Sequence, residues 1–301
     1  MKRGIVFLIF TIFTAPFVLA QQVVQKRMPE DVAIFAVQKN GDSFSVDPVV
    51  IVHYGPDQRF KTIPALNTPL PSNGGTEEDF DNLEKTLYKP GTSLSVFSGG
   101  MKLGTAAVNN SNIEGRDGGC LDLSATITYQ GTGTPRLAAN TSAEIPGHRS
   151  SRRKATTAEA STLRHLAEQW LVDYGIDRNL IRQGTLASVV STELRPGIGR
   201  AIIGRLDVKS KKAIYRLFAV AEPDGSRPRL TLSNLEIQND LEDGTDKTER
   251  VYVDQLDINN DGQDEIITST THYESWNYDV WDFDPNHKVW GHKFRGTGGG
   301  C

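Results

Sequence analysis

The chain has 301 residues, of which 38% are hydrophobic and 23% are charged, and its formal net charge at pH 7 is −4. This length is enough for one or two domains with a sizeable core. The mildly negative charge gives no global attraction to nucleic acid or to acidic membranes, so we expect neither as a partner.

The N-terminus has the pattern of a secretory signal peptide. Lys2 and Arg3 precede an uncharged apolar stretch from Ile5 to Leu19, and Ala20 fits the last position before a cleavage site. The stretch is shorter than the ~20 residues that span a bilayer core. We therefore predict a signal peptide over residues 1–20, no membrane span after its cleavage, and a mature protein that is secreted or periplasmic.

Residues 28–130 are predicted to form a β-rich N-terminal domain that contains one helix. β-prone runs are separated by hairpin signals such as Asn40-Gly41. The helix is predicted to begin with Thr76 as its N-cap. Because proline cannot donate a hydrogen bond to a β-ladder, Asp47-Pro48 predicts a break in the second strand.

Residues 131–155 are rich in small, polar and basic side chains and are predicted to be a linker. The predicted C-terminal domain, residues 156–301, opens with a helix. Thr156 and Glu159 have the spacing of a capping box, and Gly175 can close the helix. Short β-prone runs follow the helix, so this domain is also predicted to be β-rich.

The last stretch of the chain predicts a four-strand antiparallel meander. Its third strand carries Trp276 and Tyr278 on one face and Trp281 and Phe283 on the other, so we expect the sheet to be covered on both sides. A sugar-stacking platform is the alternative role for these aromatic side chains. The fold class predicted for the whole chain is mainly β with two short helices (α+β), arranged as two β-rich domains.

The chain has two cysteines, Cys120 and Cys301. In an oxidising compartment such a sparse pair indicates one internal disulfide, which would close a long loop and contribute about 5 kcal/mol on the chain-entropy model. Cys301 could equally pair with another chain, and the sequence leaves both possibilities open.

One loop carries the spacing of a metal site. Oxygen-bearing side chains recur at every second position through Asp257, Asn259 and Asp261, and Gly262 permits a tight bend that turns the Gln263 carbonyl inward. Glu265 supplies a further carboxylate. Six to eight oxygen ligands in flexible geometry suit Ca²⁺, whereas the absence of Cys and His disfavours zinc or copper.

This loop resembles the calcium loop of FG-GAP and VCBS-type repeats, which run from a strand through a D-x-D-x-D-G-x-x-D/E motif into an apolar strand. The resemblance covers about residues 250–295 and a single copy of the motif. It implies a Ca²⁺ cofactor with five ligands: Asp257, Asn259, Asp261, Gln263 through its carbonyl, and Glu265.

The sequence lacks the HExxH, P-loop, dinucleotide-glycine and nucleophile-elbow motifs. Our leading hypothesis is therefore an exported, non-catalytic, calcium-stabilised binding or surface-interaction protein with a protein or carbohydrate partner. The alternative is an exported hydrolase of polysaccharide or peptide with structural calcium, for which Asp254 is the best acid outside the loop. A third possibility is an envelope assembly element linked through Cys301. We interpret His272, His287 and His292 as surface groups.

Overall fold

A computed structural model describes residues 31–53, 59–61, 77–114, 120–140, 145, 152–225, 227–239 and 248–300. The predicted signal peptide, the predicted N-cap Thr76 and Cys301 lie outside these residues. The fold is mainly β, as predicted, and three helices lie in the described part of the chain. None of the helices described is long and apolar enough to cross a membrane.

The N-terminal region forms an antiparallel sheet in which six strands pair in a closed ring, in the order β1-β7-β4-β5-β6-β2 and back to β1, while β3 extends β2. Each of these six strands is therefore paired on both sides over at least part of its length. The seven strands are β1 (Asp31–Asn40), β2 (Ser43–His53), β3 (Arg59–Lys61), β4 (Ser93–Ser98), β5 (Met101–Glu114), β6 (Asp122–Gly131) and β7 (Leu137–Ala139).

The predicted turn at Asn40-Gly41 joins β1 and β2, and Gly41 adopts a left-handed conformation there (φ +63°). The predicted break at Asp47-Pro48 is wrong, because β2 continues through both residues. The register shifts at this point, from Phe35 opposite Pro48 to Ile34 opposite Val50. A bulge is one of the few places where a strand tolerates the missing N–H of proline.

Alternate residues of β1 pack in opposite directions. Phe35 and its neighbours on the same face pack inside the ring with Phe80 and Leu83 of helix α1 (Glu77–Thr86). Ile34 and its neighbours on the other face pack outward, against residues of the C-terminal sheet such as Val280. The period-2 alternation of the strand thus builds two separate cores from one sheet.

The predicted capping box is present: the Thr156 hydroxyl accepts from the Glu159 backbone N–H, and Glu159 accepts in return from the Thr156 backbone. Helix α2 (Thr157–Tyr174) ends at Gly175, which is left-handed as predicted. A third helix, α3 (Arg178–Arg182), was not predicted, since a five-residue helix is too short to show a hydrophobic period.

Helices α2 and α3 cover one face of a five-stranded antiparallel sheet. Its strands, in chain order, are β8 (Arg153–Lys154), β9 (Thr185–Thr192), β10 (Ala201–Lys209), β11 (Ala213–Asp224) and β12 (Arg227–Asn239). Both β7 and β8 therefore come from the segment 131–155 that was expected to be a linker, and each is hydrogen-bonded into a different sheet.

The predicted four-strand meander is confirmed as β13 (Glu249–Leu256), β14 (Glu265–Thr271), β15 (Ser275–Asp284) and β16 (Val289–Gly300). One face packs on the outside of the N-terminal ring through residues such as Tyr278. The other packs on the five-stranded sheet through Trp281, Phe283 and Trp290. The sheet is covered on both sides, as predicted, and these three aromatic side chains are core residues.

Asp47 forms a buried polar contact between the N-terminal ring and the meander. Its carboxylate accepts hydrogen bonds from the Tyr278 hydroxyl (3.2 Å) and from the Gln38 amide. Burial raises the pKa of Asp47 from 3.8 to about 6, against the lowering effect of these hydrogen bonds. Because the pKa is raised on folding, the protonated acid contributes favourably to the free energy of unfolding. This contribution is complete below pH ~4 and is lost as the pH rises through ~6.

We expect Asp47→Asn to stabilise the protein by up to about 3 kcal/mol at pH ~8 and by nothing measurable at pH ~4, because the amide keeps an acceptor oxygen and carries no charge. Denaturant unfolding at the two pH values measures this. An equal change at both pH values would contradict the assignment of a buried, protonatable carboxyl.

Candidate metal site

The candidate metal loop connects β13 to β14 and bends through two left-handed residues, Asn260 (φ +59°) and Gly262 (φ +88°). Asp257 opens the loop and is fully buried. Its two carboxylate oxygens accept hydrogen bonds from the backbone N–H groups of Asp261 (3.1 Å) and Gly262 (3.0 Å). These bonds hold the turn with its polar side chains gathered on the inside.

The remaining predicted ligands are tied into the same network. Asn259 accepts from the Asp261 backbone N–H (2.9 Å), and Asp261 accepts from that of Gln263 (2.8 Å). Glu265 is buried and accepts from the Ile258 backbone N–H (2.8 Å). The Glu265 side chain thereby ties the end of the loop to the backbone of the residue that follows Asp257.

Three carboxylates come together at this loop. Asp261, Glu265 and Asp282 each contribute one carboxylate oxygen, and these three oxygens all lie within 4.8 Å of one another. Asp261 is exposed, Glu265 is buried and Asp282 is intermediate, so the group opens to solvent on one side. Two predicted ligands, Asp261 and Glu265, are members of this group, whereas Asp257 is not.

Asp282 was missed by the sequence analysis because it lies on β15, outside the motif. In the register of β14 and β15, Ile266 stands opposite Trp281, which places Asp282 beside Glu265. Counting back from the predicted hairpin between these strands could have found it. The Lys293 ammonium donates to the Asp282 carboxylate (2.9 Å) and partly balances the negative charge.

Burial raises the pKa values of the acids around the loop. The pKa of Asp257 rises to about 6 and that of Asp264 to about 7, and the pKa of Glu265 rises well above its ordinary value. In each case loss of hydration is the largest cause, and neighbouring carboxylates add to it. Gathering these acids in a buried turn therefore costs free energy as long as their charges are uncompensated.

Asp254, the acid considered for hydrolysis, has a different environment. It is fully buried and accepts from the Arg152 guanidinium (2.5 Å) and from the Gly99 backbone N–H (2.7 Å). It therefore joins β13 to the hairpin of β4 and β5 and to the segment before β8. These contacts describe a structural ion pair.

The three histidines of the meander have separate partners. His272 contacts Asn277, His287 contacts Asp284 and His292 contacts Asp279. Within the described part of the chain, the group of three metal-binding side chains close enough to share an ion contains no histidine.

In comparisons with known proteins, the chain matched no protein-family model, no curated protein and no solved structure. The resemblance of the loop to FG-GAP and VCBS-type repeats thus stays a prediction from the motif itself.

Proposed function

We propose that this protein is an exported, non-catalytic, calcium-stabilised β-rich protein that acts by binding a protein or a carbohydrate. The observation that carries the calcium part is the meeting of Asp261, Glu265 and Asp282 beside the bent loop. Carboxylate and carbonyl oxygens are the ligands that Ca²⁺ prefers. The loop supplies the further predicted ligands Asp257, Asn259 and the Gln263 carbonyl.

The position of the loop explains why an ion would stabilise the whole fold. Ile258, inside the loop, is fully buried in the core between the meander and the N-terminal ring. A cation bound at the carboxylates would join the loop to β14 and β15. Each pair of like charges at ~4 Å repels by about 4 kcal/mol near a protein surface, and a divalent ion removes that repulsion.

The alternative of a hydrolase has less support. Glycoside hydrolysis needs two carboxyl groups across a cleft. Two cavities formed by described residues hold at most one carboxylate each: one is lined mainly by basic and hydroxyl side chains, and the other, beside α2 and α3, contains Glu168 alone. Asp254 is fully buried in its ion pair. We therefore propose binding rather than catalysis.

An internal disulfide between Cys120 and Cys301 is part of the same proposal. The adjacent residues Leu121 and Gly300 exchange both backbone hydrogen bonds (2.7 and 3.2 Å), as a closely paired antiparallel bridge does. This bridge joins the start of β6 to the end of β16. The bridge therefore favours a disulfide within the chain over a disulfide to a second chain.

The calcium part is tested by thermal and denaturant unfolding of the mature protein, with Ca²⁺ or with a chelator. At a free Ca²⁺ concentration about 100 times Kd, the ion should add about 2.7 kcal/mol to the free energy of unfolding. Calorimetric titration should give one ion per chain. Unchanged unfolding together with no bound ion would overturn the proposal.

Two variants locate the site. Glu265→Gln and Asp282→Asn should each weaken Ca²⁺ binding by at least about tenfold, because each removes a charged ligand. Asp173→Asn, on the exposed side of α2, removes the same charge elsewhere and should leave Ca²⁺ binding unchanged. Equal Ca²⁺ affinity in Asp282→Asn and the wild type would place the ion elsewhere.

A further inference from the structure

A cavity of about 540 Å³ lies between the N-terminal ring and the five-stranded sheet. We name it the basic cavity, because its lining includes four cationic side chains: Arg136, Arg152, Arg153 and Lys154. Its volume falls in the range of ~300–1,000 Å³ that is usual for small-molecule sites. No sequence motif marks it, since its lining comes from distant parts of the chain.

The positive charge of the basic cavity is only partly balanced. Arg152 pairs with Asp254, and Arg153 pairs with Glu159 through two parallel bonds of 2.7 and 2.8 Å. Arg136 and Lys154 form no ion pair within the described part of the chain. The described residues of the lining include no carboxylate. Asp254 attracts Arg136 electrostatically without bonding to it, so these two cationic groups line the cavity without a directly bonded carboxylate among the described residues.

Arg136 shows the electrostatic consequence. Burial and the nearby positive charge of Arg152 both lower the pKa of its guanidinium, and the negative charge of Asp254 only partly offsets them. An anion bound beside Arg136 would offset this repulsion. The balance of charge in the cavity thus favours a negatively charged occupant.

The paired arginines are held in place before any ligand arrives. Arg152 donates to the Val253 carbonyl (2.7 Å) as well as to Asp254, and its guanidinium lies 4.7 Å from the centroid of the Tyr252 ring. Glu159, the partner of Arg153, is held by the helix cap. Side chains that are already ordered lose little entropy on binding a ligand.

Hydroxyl groups add neutral hydrogen-bonding capacity to the lining, from Ser98, Thr134 and Ser188. Ser188 is one of the few non-glycine residues with a left-handed backbone (φ +54°). It lies where the pairing of β9 with β10 skips from Ala187 to Val190. Bulges of this kind redirect a side chain, and such strained conformations cluster at functional sites.

We propose that the basic cavity binds a small phosphate or sulfate ester, whose oxyanion lies between Arg136 and Lys154 and accepts from the neighbouring hydroxyls. Guanidinium, ammonium and hydroxyl groups are together the donors that recognise tetrahedral oxyanions. Among the residues that the structure describes, the lining holds no aromatic side chain on which a nucleic-acid base could stack. The overall negative charge of the protein also disfavours a long polyanion.

The test is calorimetric titration of the calcium-saturated mature protein, at neutral pH and low salt, with a hexose phosphate, inorganic phosphate, inorganic sulfate and acetate. We expect the hexose phosphate to bind, sulfate and phosphate to compete with it, and acetate, which binds Ca²⁺ only weakly, to compete poorly. Repeating the hexose phosphate titration with a chelator excludes binding through the metal. No binding at millimolar ligand, or binding of acetate as strong as that of phosphate, would overturn the proposal.

Variants assign the binding to the cavity. Arg136→Met and Lys154→Met should each weaken hexose phosphate binding by about tenfold, and Ser188→Gly, which keeps the left-handed turn but removes the hydroxyl, by a smaller factor. Lys212→Met, in the exposed turn before β11, is the matched control and should bind as the wild type does. Unchanged binding in Arg136→Met, or tighter binding of single-stranded DNA than of the ester, would contradict it.

Ester binding goes beyond the proposed calcium function and can fail separately from it. Asp282→Asn removes a proposed calcium ligand and leaves the lining of the basic cavity intact. It should lose Ca²⁺ affinity and keep hexose phosphate affinity. Arg136→Met should keep Ca²⁺ affinity and lose hexose phosphate affinity. A protein that binds Ca²⁺ but not the ester would retain the first proposal and lose the second.

Discussion

Asp279→Ala is expected to lower the free energy of unfolding by about 3–5 kcal/mol, as removal of one partner from a buried ion pair does. Asp279 is 1% exposed, and Arg250 donates to it at 2.5 Å while His292 contacts it at 2.8 Å. Arg250 also pairs with Glu236 of β12 (3.1 Å). The variant would therefore leave the buried guanidinium of Arg250 with Glu236 as its remaining carboxylate partner.

The same residue gives the stability of the protein a specific acid dependence. Burial alone would raise the pKa of Asp279, but hydrogen bonds from His292 and Arg250 outweigh this and lower it from 3.8 to about 2. Because the pKa is lowered on folding, the contribution of Asp279 is complete above pH ~4 and is lost as the pH falls toward ~2. Asp279→Ala should lack this part of the pH dependence.

Urea unfolding at pH ~3 and pH ~7 measures both effects. Asp173→Ala, which removes an exposed acid from α2, should change the free energy of unfolding by less than about 0.5 kcal/mol and is the control. A wild-type-like stability of Asp279→Ala at neutral pH would show that the buried ion pair contributes little.

Arg152→Met is expected to lower the free energy of unfolding by a similar amount, about 3–5 kcal/mol, at neutral to alkaline pH. The reason is that the variant leaves the fully buried Asp254 without its cation. Burial raises the pKa of Asp254, and Arg152 acts against that rise. Without Arg152 the pKa should be higher still. Stability should then fall as the pH rises, and it should recover in acid, where Asp254 is protonated.

A double-mutant cycle separates the ion pair from the packing of the methylene groups. Arg152→Met with Asp254→Asn should recover most of the loss, since the buried charge disappears together with its partner. The Gly99 N–H would still find an acceptor, because the introduced amide keeps one oxygen at that position. If the double variant is as unstable as Arg152→Met alone, the loss comes from packing against Tyr252 and not from the charge.

The sequence alone determined the elements whose signals are local. The capping box at Thr156, the left-handed turn at Gly41, the four strands of the meander and the polar loop that begins at Asp257 all lie where their patterns place them. These signals are hydrogen bonds and side-chain periods between residues a few positions apart, and the chain carries them before any tertiary contact forms.

Only the tertiary structure decided which distant residues meet. The ring closes because the short strand β7, from the expected linker, pairs with both β1 and β4. Asp282 reaches the metal loop through strand register. The basic cavity collects Arg136 from the loop before β7 of the N-terminal ring and Lys154 from β8 of the five-stranded sheet. The physical reason is that the proximity of such charges depends on sheet pairing and layer packing. A hairpin register can suggest the first, as for Asp282, but no pattern along the chain encodes the second.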